Sequence, residues 1–178
     1  MSEQQEPIEQ GVLDLAARVF DLARGGDTAA LVEYLDAGVP ANLTNHKGDT
    51  LLILAAYHGH AETVVALLDR GADHGRCNDR GQTPLAAAAY QGDVAMVQLL
   101  LERGADVNGV GHTGRTPLMT AAMFNRTEIV ELLLSRGADP HLRDTNGLTA
   151  EAAAQVMGAT ETPRQLAEAM ASSRSHEP

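Results

Sequence analysis

The stretch from Gly81 to Gly104, GQTPLAAAAYQGDVAMVQLLLERG, returns 33 residues later as GRTPLMTAAMFNRTEIVELLLSRG. It also stands 33 residues earlier as GDTLLILAAYHGHAETVVALLDRG. Glycine occupies three registers of this period: Gly26, Gly59, Gly92 and Gly158; Gly38, Gly71, Gly104 and Gly137; Gly48, Gly81, Gly114 and Gly147. Those twelve are most of the seventeen glycines in the chain, where chance would put about one or two in three registers of such a period. A chain built this way cannot wrap around one centre. Each unit has an apolar face that only the next unit can cover, so the units must stack.

Each copy reads as a helix, a break, a second helix and a stop. Thr83-Pro84 and Thr116-Pro117 put a hydroxyl N-cap before a proline, whose missing N–H costs nothing in the first helical turn. Ala87, Ala88 and Ala89, like Thr120, Ala121 and Ala122, keep that helix thin enough for a neighbouring backbone to come close. Gly92-Asp93 breaks it, and Asp93 can cap the next start. Met96, Val97, Leu99, Leu100 and Leu101 give the second helix an apolar face too broad for one wet half, so it must be buried from two sides. Gln98 with Glu102, and Glu131 with Ser135, form its polar stripe. Arg70-Gly71, Arg103-Gly104 and Arg136-Gly137 end the second helices, a cation at the negative end of the dipole and a left-handed residue at the C-cap. The connections Ala72 to Arg80 and Ala105 to Thr113 are too short for another helix and suit an extended turn, closed by Gly81, Gly114 and Gly147 at positions that call for φ > 0.

Thr83-Pro84-Leu85, Ala88-Ala89, Gly92, Leu99-Leu100-Leu101 and Gly104-Ala105-Asp106-Val107-Asn108 together resemble the ankyrin repeat family, over roughly Gly11 to Ala171. The resemblance implies an all-α fold, an α-solenoid of stacked helix pairs joined by extended turns. One departure stands out. The family usually carries histidine after Thr-Pro-Leu, bridging neighbouring turns, whereas Ile53, Ala86 and Met119 stand there. That position therefore does not supply the turn-to-turn hydrogen bonds of the family histidine, and apolar packing must do more.

The order of units follows. Residues 1–10 are polar and acidic and are expected to be a disordered tail. The repeat domain is 11–172, with 11–44 as an N-terminal capping unit, 45–77, 78–110 and 111–143 as full repeats, and 144–172 as a C-terminal cap; 173–178 is a polar tail. In the first unit, Val12, Leu15, Val19, Phe20 and Leu22 predict a longer helix from Gly11 with Asp14, Arg18 and Asp21 on its outer side. Leu31, Tyr34 and Leu35 predict a second helix ending at Gly38. In the last unit, Pro163 falls where Val97 and Val130 stand, so the lattice is expected to slip after Gly158. A closing helix then runs from about Pro163 to Ala171, capped by Thr162.

Composition narrows the partners. A net charge of −11 disfavours both nucleic-acid phosphates and an anionic membrane surface. Cys77 is the only cysteine, which rules out an intrachain disulfide and a cysteine-based zinc site. MSEQQEPIEQ does not have the basic and then apolar residues of a secretory leader, and Leu51 to Tyr57, the longest clear apolar run, is too short to span a bilayer. A monomeric cytoplasmic protein is expected.

Three features invite a chemical reading. Gly109-Val110-Gly111-His112-Thr113-Gly114 matches the dinucleotide fingerprint, but the same register elsewhere reads GRCNDRG and NLTNHKG, and a helix cap stands where the motif needs a strand. His58-Gly59-His60, with His46 in the adjoining turn, is an imidazole pair without carboxylate or thiol support; His60 holds the position where the family has a histidine at the second helix start. Cys77 has no base near it by register. No catalytic residues, metal or cofactor are assigned, and an enzyme is not expected.

In ankyrin-like folds the turn tips and the outer side of the first helix line a concave groove where partners dock. Mapped onto this chain, that surface holds Tyr57, His58, Arg80, Tyr90, Gln91, Arg115, Met123 and Phe124. Aromatic rings and arginines are the usual anchors of protein interfaces, and three of the five aromatics in the chain fall here. The expected function is non-catalytic binding of a partner protein in the groove. The alternative is a small-molecule- or metal-responsive protein using His46, His58 and Cys77.

Overall fold

Among the described residues of a computed structural model, ten helices follow one another, α1 Gln5–Gly25, α2 Thr28–Asp36, α3 Leu51–Tyr57, α4 Ala61–Leu68, α5 Pro84–Gln91, α6 Val94–Glu102, α7 Pro117–Met123, α8 Thr127–Ser135, α9 Ala150–Val156 and α10 Thr162–Arg174. The structure describes residues 5–174, and side-chain environments for 11–171. Odd-numbered helices stack in one layer, α1 on α3, α3 on α5, α5 on α7 and α7 on α9. Behind them α2 packs on α4, α6 on α8 and α8 on α10. Among the described residues the only β pairing is an isolated bridge between Thr44 and Thr50, so the fold is an all-helical solenoid.

Thr83 and Thr116 cap their helices as expected, and Thr50 and Thr149 do the same one repeat outward on either side. Thr50, Thr83, Thr116 and Thr149 accept through Oγ1 from Ile53 N (3.0 Å), Ala86 N (3.3 Å), Met119 N (3.1 Å) and Ala152 N (3.3 Å). Asp93 accepts from Met96 N at 2.9 Å, so the break at Gly92 also starts α6. Such caps are each worth about 1 kcal/mol.

The period also writes the core. Leu67, Leu100, Leu133 and Leu166 stand one repeat apart and all have no solvent exposure, each contributing about 1.5–3 kcal/mol by burial. Leu52, Leu85 and Leu118 form a second row, and Ala55, Ala88, Ala121 and Ala154 a third in the thin first helices, all fully or almost fully buried. Leu166 corrects the expectation of a slip after Gly158, because it keeps the register of the three leucines before it. Pro163 does not break that register: it sits in the first turn of α10, where no intrahelical N–H bond is lost. Nor does Thr162 cap α10. Its hydroxyl donates to Ala122 O at 2.6 Å, tying the last helix to α7.

The first unit differs from its expected form. α1 begins at Gln5, ahead of Gly11, with Pro7 tolerated in its first turn. Residues 5–10 of the expected tail are therefore helical and 1–4 lie outside the described residues; likewise 173–174 belong to α10 and 175–178 lie outside. Val19 and Phe20 are buried, but Val12, Leu13 and Leu15 are exposed, so only the second half of α1 joins the stack.

All twelve glycines of the three registers have positive φ, from +67° at Gly114 to +102° at Gly38, and no other described glycine does. Among the described residues the one non-glycine with positive φ is Asn125 (55°), which occupies the open place in the register of Gly92 and Gly158. Asparagine tolerates this region better than other side chains. Its amide is put to use as well: Oδ1 accepts from Glu161 N (2.9 Å) and Thr162 N (3.2 Å) at the start of the last helix.

Other hydrogen bonds join neighbouring turns in place of those the family histidine makes. Asp79 N donates to Lys47 O at 3.1 Å and Thr145 N to Thr113 O at 3.0 Å. Asn78 Nδ2 donates to Asp49 Oδ1 at 2.7 Å, both buried. Asn42 Oδ1 accepts from Asp73 N (2.8 Å) and Asn108 Oδ1 from Asp139 N (2.9 Å). Backbone and asparagine amides thus do the bridging, and Met119 Sδ accepts from Thr116 N at 3.4 Å. On the outer face Arg70 pairs with Asp36 at 2.8 Å, and Arg103 with Asp69 one repeat later.

Two glycines with the same backbone separate strain from crowding. An added Cβ at Gly81 (φ +73°) would lie 2.6 Å from Thr113 Oγ1 and 3.2 Å from its Cβ, while at Gly147 (φ +78°) nothing lies within 4 Å. Gly147→Ala is expected to cost about 1–2 kcal/mol from left-handed strain alone. Gly81→Ala is expected to cost about 1–3 kcal/mol more, from the crowded contact. Urea unfolding of the two variants measures the difference; equal midpoints would refute the crowding.

Candidate partner-binding surface

Tyr57 ends α3 and Tyr90 stands one repeat on, near the end of α5, so the stacking of the two helices lays one ring over the other. Their centroids are 6.0 Å apart and their planes 18° from parallel. One repeat further the lattice holds Met123, not an aromatic. α7 stops there, and Phe124 caps it. Arriving one residue late, Phe124 meets Tyr90 edge-to-face, at 4.5 Å and 74°. Tyr57 and Tyr90 are half-buried and Phe124 is exposed. Such pairs add about 0.5–1.5 kcal/mol beyond burial, which makes the row a rigid ledge.

Beside the ledge a cleft of about 200 Å³ opens between the second and third turns, lined by Tyr57, Tyr90 and Phe124 on the helix side and by Arg80, Gln82, Thr113 and Arg115 on the turn side. Three local departures from the repeat meet at this seam. Asn45, Asn78 and Asp144 accept two backbone N–H groups each and so lock their own turns; Gly111 has the same register and no side chain to do so. The backbone bond that joins other neighbouring turns has no counterpart between the second and third among the described residues. Ala86, on the cleft wall, replaces the longer Ile53 and Met119 of its register. Each loss leaves space where other seams are filled.

The cleft is lined by two cations and by no acidic side chain. Arg115 Nε is shielded from solvent and has no hydrogen-bond partner, a condition that costs about 1–3 kcal/mol or more for a buried donor. Ion pairs engage Arg24, Arg70, Arg103 and Arg164, but neither Arg80 nor Arg115 among the described residues.

Of the eight residues mapped to the groove, Tyr57, Arg80, Tyr90, Arg115 and Phe124 come together around this cleft; His58, Gln91 and Met123 stand outside its lining. Thr120 and Ala86 also line it and were not on the mapped surface. Their signal was the departure from the repeat, a threonine where Ala87 and Ala153 stand and an alanine between Ile53 and Met119.

The remaining candidates are placed as follows. His60 Nε2 lies 2.8 Å from Arg24 O, a bridge between units, and Arg126 makes the equivalent contact to Tyr90 O at 3.1 and 3.2 Å. Cys77 does have a base within reach, against the reading from register: Sγ lies 3.8 Å from His112 Nδ1. That approach depends on Gly111, where a Cβ would lie 2.8 Å from Cys77 Cβ. No group of three or more histidine, cysteine or acidic side chains gathers in metal-binding geometry among the described residues, so His46, His58 and Cys77 do not form one cluster. No described helix is long and apolar enough to cross a membrane.

The repeat, the paired helices and the projecting turns agree with comparison to known proteins. The family model described as ankyrin repeats (3 copies) matches residues 19–110, 63–144 and 108–174. The chain belongs to the ankyrin repeat family. Over 57 residues it is 49% identical to an ankyrin repeat protein of Pseudomonas aeruginosa, a stretch covering 32% of this chain and 33% of that one. The match thus spans about a third of the relative's length. Ankyrin repeats are in general modules for binding other proteins rather than catalysts.

His58, edge-on to Tyr57 at 5.2 Å, adds a pH-sensitive edge to the ledge of this ankyrin repeat protein. Loss of hydration, then the charges of His60 and Arg24, hold its imidazole below the ordinary value of 6.5. A histidine with a lowered folded pKa binds fewer protons folded than unfolded. Its contribution is intact above 6.5 and is lost as the pH falls from there through the folded value. Wild type is expected to lose more stability than His58→Gln over that window, read as the shift of urea midpoint with pH; parallel curves would show that His58 carries none of it.

Proposed function

We propose that this ankyrin repeat protein is a non-catalytic, monomeric module that holds a partner protein in its concave groove. Tyr57, Tyr90 and Phe124 serve as the apolar ledge, Arg80 and Arg115 orient the partner, and His58, Gln91 and Met123 flank the contact. The observation that carries the reading is the meeting of an aromatic row and two arginines without acidic partners around one open cleft. Interface energy concentrates in a few aromatic and arginine side chains set in partly enclosed pockets, and a rigid ledge loses little entropy on docking. The net charge of −11 favours a protein partner over nucleic acid or an anionic membrane. The single thiol, Cys77, suits the reducing cytoplasm.

Capture from lysate tests the reading. Wild type is expected to retain a partner that the Tyr57→Ala, Tyr90→Ala and Phe124→Ala triple variant, matched for helicity by circular dichroism, does not. Anchors of this kind cost about 2 kcal/mol or more each on truncation. Identical captured sets from the two proteins would end the proposal.

A further inference from the structure

The groove reading leaves open what chemistry the cleft selects, and the inference here rests on that reading. A guanidinium stays charged at any physiological pH and offers donors only. Arg115 lines the cleft, makes no ion pair among the described residues, and its Nε makes no hydrogen bond within the chain. Arg80 shares the cleft, and its guanidinium makes no hydrogen bond or ion pair among the described residues. The chain carries 24 acidic and 13 basic residues, yet no acidic side chain lines the cleft. The rest of the lining includes neutral polar groups, Gln82, Thr113 and Thr120, and the rings of Tyr57, Tyr90 and Phe124.

Size decides how much of a ligand can enter. At about 200 Å³ the cleft falls short of the roughly 300–1,000 Å³ of small-molecule pockets. It has room for one side chain of a larger partner. From this we infer that the cleft receives a single aspartate or glutamate side chain from an extended segment of the partner protein, its carboxylate taken by Arg115 and Arg80. A neighbouring apolar side chain of the same segment rests on Tyr90 and Phe124. Carboxylate matches the donor geometry of arginine. The net charge of −11 repels a run of acids, so the segment carries one acid among neutral or basic residues.

A displayed library of random peptides, selected against wild type and resynthesised as free peptides, provides the probe. Selected peptides are expected to share one acid beside an apolar residue. Changing that acid to its amide, or Arg115→Gln in the protein, is expected to weaken binding about tenfold or more, while both changes together weaken it no further than either alone. The peptide-side change keeps the test available if Arg115→Gln does not fold. Peptides without an acid that still lose binding in Tyr90→Ala would overturn the carboxylate and leave the groove reading standing. Selection yielding no binder above the triple variant would overturn both. Displacement of the peptide by a single-stranded DNA oligomer at equal concentration would overturn it in favour of phosphate.

Discussion

Everything in this fold depends on the chain turning left-handed at fixed places. Three times in each 33-residue unit the backbone takes a positive φ, which costs a residue with a Cβ about 1–2 kcal/mol and glycine almost nothing. Twelve glycines pay no such penalty, and Asn125 takes the remaining place. These points end the first helix, end the second and close the turn, so they set the rotation of one unit against the next. With the rotation fixed, Leu67, Leu100, Leu133 and Leu166 line up in one buried row. The core of a stacked protein is therefore a consequence of backbone punctuation as much as of hydrophobic pattern, because each apolar face finds its cover only if the next unit arrives at the same angle.

The same regularity explains how far the sequence could be read. Helix starts at Thr83 and Thr116, the polar pair Gln98 and Glu102, joined at 2.8 Å, and the glycine stops are all local, and local chemistry is visible in a string of letters. Register at the end of the chain is hard to read from the string because Pro163 stands where Val97 and Val130 stand in earlier units. Its effect depends on whether it falls in the first turn of a helix, and that is decided by where Asn125 receives Glu161 N and Thr162 N, far away in sequence. The bridging of turns is hidden in the sequence for a related reason. A missing histidine suggests a missing bond, yet the backbone of Asp79 and Thr145 and the amides of Asn42, Asn78 and Asn108 supply bonds that no side-chain motif announces.

The groove residues show where side-chain mapping runs out. Repeat register placed Tyr57 and Tyr90 in line, and they stack. It could not show that Phe124, one residue off the lattice, would turn its edge to Tyr90, since that follows from α7 ending at Met123. Nor could it bring Cys77 to His112, a contact made across a seam whose width depends on the absence of a side chain at Gly111.

That seam carries the most general point. In a strictly repeating stack every junction is equivalent, and equivalence offers a partner no preferred address. Here one junction has lost the side-chain lock of its turn at Gly111, the backbone bond between turns, and the bulk that Ile53 and Met119 provide on either side of Ala86. None of these losses improves stability, since each removes a hydrogen bond or leaves space in a packed surface. They fall together beside the aromatic ledge and the unmatched Arg115. Sites where local consistency is broken in several ways at once are where a fold gives up stability for recognition, and in this chain the breaks mark one cleft and no other seam as strongly.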